Sequence, residues 1–276
     1  MIINHWPSAF RNLYGGTWPR DYFVIDVETT GLDINNDLIV EFGHCLVKNG
    51  EVVDRLTVIV DWTKQQGEIA DAIEGKLASV SNSMAKAGLQ FHIDFDRMKR
   101  EGRPPEEVFT FYAQMLNTMI DKNIPIVGHN IYNFDEPILI NNLRNYNFPK
   151  VQFHDNCILD TNGIERANGL GPTPITVPRK NDTLRSYFMR LSTLRVKGLK
   201  SNLSDHCFVK YGFDKHGVNK SQMHNASIDA FCVHILMEKF RQGINPDLPV
   251  EETPAAKAPL IIHPHALKRY RGQRIN

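Results

Sequence analysis

The sequence predicts an α/β domain built on a mixed sheet, and three observations carry that expectation. An Asn-Gly step joins two runs of β-forming residues early in the chain, and a third such run precedes them. Two further short strand-like runs, 124–128 and 156–160, each follow a stretch with helical features, so antiparallel strands give way to strands alternating with helices. The chain has 276 residues, 42% of them hydrophobic, enough for one sizeable core.

Residues 1–20 mix aromatics, Pro and Gly without periodicity and read as an irregular lead-in to a domain over 21–242. The first strand is expected at about 21–28. Strands over 38–47 and 51–60 flank Lys48-Asn49-Gly50, a hairpin turn. Helix-like spacing follows near 68–87, then Phe91-His92-Ile-Asp-Phe. Pro104-Pro105-Glu106-Glu107 opens a helix with apolar positions at Val108, Phe111, Met115 and Met119. After the buried strand 124–128, Glu136-Pro137 with Ile138, Leu139 and Leu143 resembles the opening of another helix, and 156–160 supplies a fifth strand.

Residues 161–200 break this rhythm. Gly169-Leu-Gly-Pro-Thr-Pro has loop chemistry, whereas Leu184, Tyr187, Leu191 and Leu194 have helical spacing with Arg185, Arg190 and Arg195 around them. This reads as an insertion with one basic amphipathic helix. Helices are expected again over 201–211 and 227–241. From Gly243 the chain turns Pro-rich and ends in a basic tail, 243–276.

No apolar run approaches the length of a membrane span and no signal peptide opens the sequence, so a soluble cytoplasmic protein is expected. Cys45, Cys157, Cys207 and Cys232 are far apart in apolar surroundings, which points to buried free thiols. The net charge of +1 hides an asymmetry: residues 179–220 carry ten Lys/Arg against three Asp, a local +7, which leaves −6 on the remainder. An acidic body with a basic stretch suits metal ions in one place and a polyanion in another; a solvated basic helix is the alternative.

The chemistry collects in three clusters. In Tyr22-Phe-Val-Ile-Asp26-Val-Glu28-Thr29-Thr30-Gly31, strand alternation points Asp26 and Glu28 to one face, and two adjacent anions call for a hard divalent cation. Thr-Thr-Gly then makes a turn where backbone can approach a ligand. Asp135 stands at a strand-to-helix junction just after Asn130 and Phe134. In His224-Asn-Ala-Ser-Ile-Asp229, five helical residues turn about 500°, so His224 and Asp229 cannot share a helix face. His224 is therefore expected in the loop before the helix, with Asn225 or Ser227 near the cap and Asp229 facing the core.

These three segments, in this order, resemble the exonuclease motifs of the DEDDh 3′-5′ exonucleases, the group of epsilon-type proofreading subunits, RNase T and oligoribonuclease. The resemblance covers roughly residues 20–242, and Asn225 stands where the sister group has tyrosine. Two departures stand out: the 130–135 motif is one residue longer than in epsilon proteins and closer to B-family polymerase proofreading domains, and the 161–200 insertion is extra. The resemblance implies a ribonuclease H-like fold and two-metal hydrolysis. Asp26, Glu28, Asp135 and Asp229 would hold two Mg²⁺, or Mn²⁺ in their place, and His224 would be the general base. It also implies substrate contacts from Thr29, Thr30, Gly31, Leu32, Asn130, Phe134 and His92, with Leu32 a wedge between bases or a plain loop leucine. Asp160 is expected to be structural. The implied substrate is a single-stranded 3′ end, with DNA ahead of RNA, and nucleoside 5′-monophosphates the product. The basic insertion and tail would suit phosphates or a DNA polymerase partner. An exoribonuclease and a catalytically silent nucleic-acid-binding module are the alternatives.

Overall fold

The computed structural model describes residues 18–65, 67–170, 173–194 and 202–244. Five strands form one sheet in the order β3-β2-β1-β4-β5: β1 (Tyr22–Thr29), β2 (Ile39–Lys48), β3 (Glu51–Ile59), β4 (Ile126–Gly128) and β5 (Ile158–Asp160). The first three pair antiparallel, and β4 and β5 join parallel to β1. This is the ribonuclease H-like mixed sheet that the resemblance implies. Asn49 and Gly50 adopt φ of 54° and 85°, the left-handed pair a tight two-residue hairpin requires.

Alternation divides the sheet into two faces. Register places Tyr22, Val24, Asp26 and Glu28 of β1 beside Val47, Cys45, Gly43 and Glu41 of β2, with Arg55 and Thr57 next on β3. The long last helix, α7 (Ala226–Ile244), covers this face: the Tyr22 hydroxyl lies 2.8 Å from His234 Nδ1, and Arg55 sits 4.6 Å from the centre of the Phe231 ring. On the other face Phe42 stacks on Tyr112 and meets Phe109 edge-on, both from α3 (Pro105–Asp121). Trp62 extends that layer, donating its indole N–H to the Ile39 carbonyl at 2.7 Å. Between β3 and α3 run α1 (Glu68–Lys86) and α2 (Phe95–Glu101).

Helix α4 (Asp135–Asn145) follows β4, and α5 (Thr161–Leu170) follows β5 directly, over residues for which the sequence suggested no regular element. Gly163 explains the fit, since a side chain there would overlap the Phe188 ring of α6 (Leu184–Ser192). Helix α6 has the expected amphipathic form, with Leu184, Tyr187, Phe188 and Leu191 buried. The helix expected over 201–211 is instead a π-helical turn, Asp205–Lys210, closed by the Tyr211 N–H on the His206 carbonyl. All four cysteines are buried free thiols, and no described helix is long and apolar enough to cross a membrane. Most of the lead-in, Arg195 and almost all of the basic tail lie outside the described residues.

Candidate active site

The parallel pairing of β1 with β4 stops at Val24, so beyond it the carboxyl ends of the two strands part and leave a crevice. Asp26 and Glu28 face this crevice from β1, half-buried. Asp135, at the first position of α4, turns in from the far side: its Oδ1 accepts the Val27 N–H at 3.3 Å, an amide the β4 ladder does not reach. The third side is the entry to α7. His224 stands outside the helix with φ of 66°, Asn225 caps it through the Ile228 N–H at 3.2 Å, and the His224 N–H donates to Asp229 Oδ2 at 3.1 Å. Three segments separated in sequence thus meet at one place.

The electrostatics of the cluster are those of anions crowded out of water. Burial first, and then the neighbouring acids, raise the carboxyls of Asp26 and Glu28 well above their ordinary range. Burial likewise pushes Asp135 up to about 7 and Asp229 up to about 8. Such a set is stable as anions only around positive charge. Two geometric observations fit a divalent cation. Glu28, His224 and Asp229 each present a ligand atom within 4.8 Å of the others, and Asp229 Oδ1 is buried without a hydrogen-bond partner among the described residues. His224 is shifted the opposite way, down, by burial and by His92 beside it, which favours the neutral imidazole that a proton acceptor needs.

Of the residues expected to meet substrate, several already have partners. The Thr30 N–H donates to the Leu38 carbonyl and its hydroxyl to Asp37 Oδ1 at 2.8 Å, so Thr30 shapes the loop and its amide is not free for a nucleotide. The Thr29 hydroxyl donates to the Gly31 carbonyl at 2.6 Å. Asn130, at φ 63°, accepts from Asn133 and Asn162 through its side chain and donates its N–H to Asp160 Oδ1, which gives both Asn130 and Asp160 structural tasks. Leu32, by contrast, is 85% exposed, Phe134 is half-buried and adjoins Asp135 in sequence, and His92 is near enough to act electrostatically on His224. The 30–38 loop is braced from α4: Asn141 donates to the Ile34 carbonyl, and Asn142 donates to the Asp37 carbonyl and accepts the Ile39 N–H.

No protein-family model matches the chain. Part of it is similar to PolC-type DNA polymerase III, at 30% identity over 99 residues for the Listeria welshimeri protein and 46% over 61 residues for that of Clostridium perfringens. These matches cover 36% and 22% of this chain but only 7% and 4% of the polymerases. E. coli exonuclease I in complex with a dT13 oligonucleotide superposes with a TM-score of 0.51 at 16% identity, over 83% of this chain and 43% of that one. Another exonuclease I structure gives 0.52 at 14% identity, over 82% and 42%. The fold is that of exonuclease I, a ribonuclease H-like mixed sheet flanked by helices.

Within this frame the basic insertion does not present its arginines as expected. Arg185 pairs with the buried Glu136, reaches Asp155 at 3.3 Å and lies over the Tyr132 ring. Arg190 binds Asp182 through two nitrogens at 2.7 and 2.8 Å. Arg185 therefore holds α6 to the body of the domain, while Arg190 ties α6 to the loop that leads into it. Sequence reasoning also missed Glu41, 1% exposed on β2 opposite Glu28, whose Oε2 accepts the Ala226 N–H at 2.9 Å. The available signal was one acid inside the otherwise apolar run Leu38-Ile-Val-Glu41-Phe.

Proposed function

We propose that this chain is a metal-dependent 3′-5′ exonuclease that hydrolyses single-stranded DNA ends to nucleoside 5′-monophosphates. The observation that carries the reading is the convergence of Asp26, Glu28, Asp135 and Asp229, from three segments, on one crevice with a neutral-leaning histidine at its edge. The polymer is read as DNA because the solved relative holds dT13 and the sequence relatives are DNA polymerases. Association with a polymerase belongs to the same reading; the basic tail suits it by composition.

The four carboxylates would hold two Mg²⁺, or Mn²⁺ in their place. When bound, these ions neutralise the acid cluster, lower the pKa of water and stabilise charge on the leaving 3′ oxygen. The chain's own contributions are separate. Asp26 and Glu28 are fixed by β1, Asp135 by the Val27 amide and Asp229 by the His224 amide, so the acids need little reorganisation. His224 accepts the proton of the attacking water as the oxygen bonds to phosphorus and the bond to the 3′ oxygen breaks. The product nucleotide keeps the phosphate at its 5′ position, and the shortened strand regains a 3′ hydroxyl. Exposed Leu32 packs against the terminal base, with Phe134 and His92 on the flanks.

Digestion of 5′-labelled single-stranded DNA and RNA of equal sequence, in Mg²⁺ or EDTA, tests this with wild type and Asp26→Ala. A Mg²⁺-dependent ladder that shortens from the 3′ end, faster on DNA and absent in the variant, is expected. Faster RNA cleavage would reassign the polymer. Binding of both polymers without shortening would make the chain a silent binding module.

A further inference from the structure

Glu41 is a fifth acid in this cluster, and its surroundings differ from those of the other four. It lies directly across the strand pair from Glu28, on the same face, where like charges ordinarily destabilise a sheet. Its carboxylate is turned to the entry of α7: Oε2 accepts the Ala226 N–H at 2.9 Å and Oε1 lies 3.5 Å from Asn225 Nδ2. An anion at a helix N-terminus is favourably placed, because the first amides lack partners within the helix.

Two neighbours on the same face grip the same turn. Gly43 has no room for a side chain, since a Cβ would overlap the backbone of Ala226 and Ser227. Arg55 Nε donates to the Ser227 carbonyl at 3.2 Å. The three residues that β2 and β3 hold in this way, 225–227, are part of the short connection between His224 and Asp229. The position of that connection decides whether the imidazole and the Asp229 carboxylate come within 4.8 Å of Glu28.

We propose that Glu41 is a positioning residue which, through Ala226 and Asn225, sets His224 and Asp229 against Glu28. The proposal rests on the exonuclease reading for its kinetic consequence, while its structural consequence stands apart. It requires the reach of the Glu41 side chain and an acceptor oxygen, and it does not require the charge. Glutamine keeps both reach and acceptor; aspartate keeps the charge and, one methylene shorter, withdraws from the Ala226 amide.

The test compares Glu41→Gln and Glu41→Asp in the full chain. On single-stranded DNA with Mg²⁺, Glu41→Asp is expected to lower kcat by about 100-fold, the scale of an ångström-sized misplacement, with KM near wild type. Glu41→Gln is expected to stay close to wild type in both. NMR of the metal-free protein supplies the reading independent of activity. The His224 amide and ring resonances, assigned with His224→Gln, should move in Glu41→Asp and hold in Glu41→Gln. The reverse order, with glutamine impaired and aspartate active, overturns the proposal in favour of a charge or ligand role. Unmoved His224 resonances in Glu41→Asp overturn it as well. If wild type itself digests nothing, the exonuclease reading fails, and the resonances still decide the role of Glu41.

Discussion

Replacing Asp135 with asparagine should stabilise the metal-free protein at pH 8 while abolishing hydrolysis. The substitution is nearly isosteric, and its amide oxygen can still accept the Val27 N–H that holds Asp135 in place. What it removes is an ionisation that the fold resists: burial raises this carboxyl from 3.8 to about 7. A group whose pKa is raised by folding gives its full support below the unfolded value and loses it as pH climbs through the folded one. With ~1.4 kcal/mol per unit, the cost at pH 8 is on the order of 4 kcal/mol, or roughly 8–16 °C in Tm for a domain of this size. At pH 5 most of it is gone, because the folded carboxyl is protonated there. The assay is urea or thermal unfolding in EDTA at both values. A variant no more stable than wild type at pH 8, or a gap that does not shrink on acidification, would refute the account of the cluster as uncompensated anions. Added Mg²⁺ should raise the Tm of wild type more than that of the variant.

Three other outcomes follow from the same structure. Arg185→Ala strands the buried Glu136, so a loss of about 2–4 kcal/mol in urea unfolding is expected, with the salt dependence of oligonucleotide binding unchanged. His234 is pushed down to about 4, mainly by burial, so the stability it contributes is complete above its unfolded value and is lost as pH falls towards 4. Between pH 6 and pH 4 the stability of wild type should therefore change with a slope more acid-labile than that of His234→Gln by up to ~1.4 kcal/mol per pH unit. Leu32→Ala, at an exposed position, should leave stability within about 0.5 kcal/mol and raise KM for single-stranded DNA several-fold.

What the sequence revealed and concealed follows from the range of the interactions. The period-two placement of Asp26 and Glu28, the left-handed Asn49-Gly50 turn and the exclusion of His224 from the helix bearing Asp229 are all local, and each is legible in a few residues. The partner of Arg185 is less accessible. Arg185 meets an acid 49 positions away, and nothing near it in sequence distinguishes a structural guanidinium from one that meets phosphate. Helix α5 was hidden for a related reason, since Gly163, Asn168 and Gly169 weaken its intrinsic tendency and packing against Phe188 restores it. Glu41 looks like any polar residue of a strand until α7, whose first residue is 185 positions on, is laid across it.

The asparagines of α4 carry a last implication. Asn141 and Asn142 hold the 34, 37 and 39 backbone groups, and Asp135 begins that same helix. The loop that carries Leu32 and the helix that carries Asp135 therefore belong to one stiff piece. The mouth of the crevice has a set gauge, and a residue added or deleted between 33 and 36 would spoil the seat of the loop on α4 before it altered what the mouth admits.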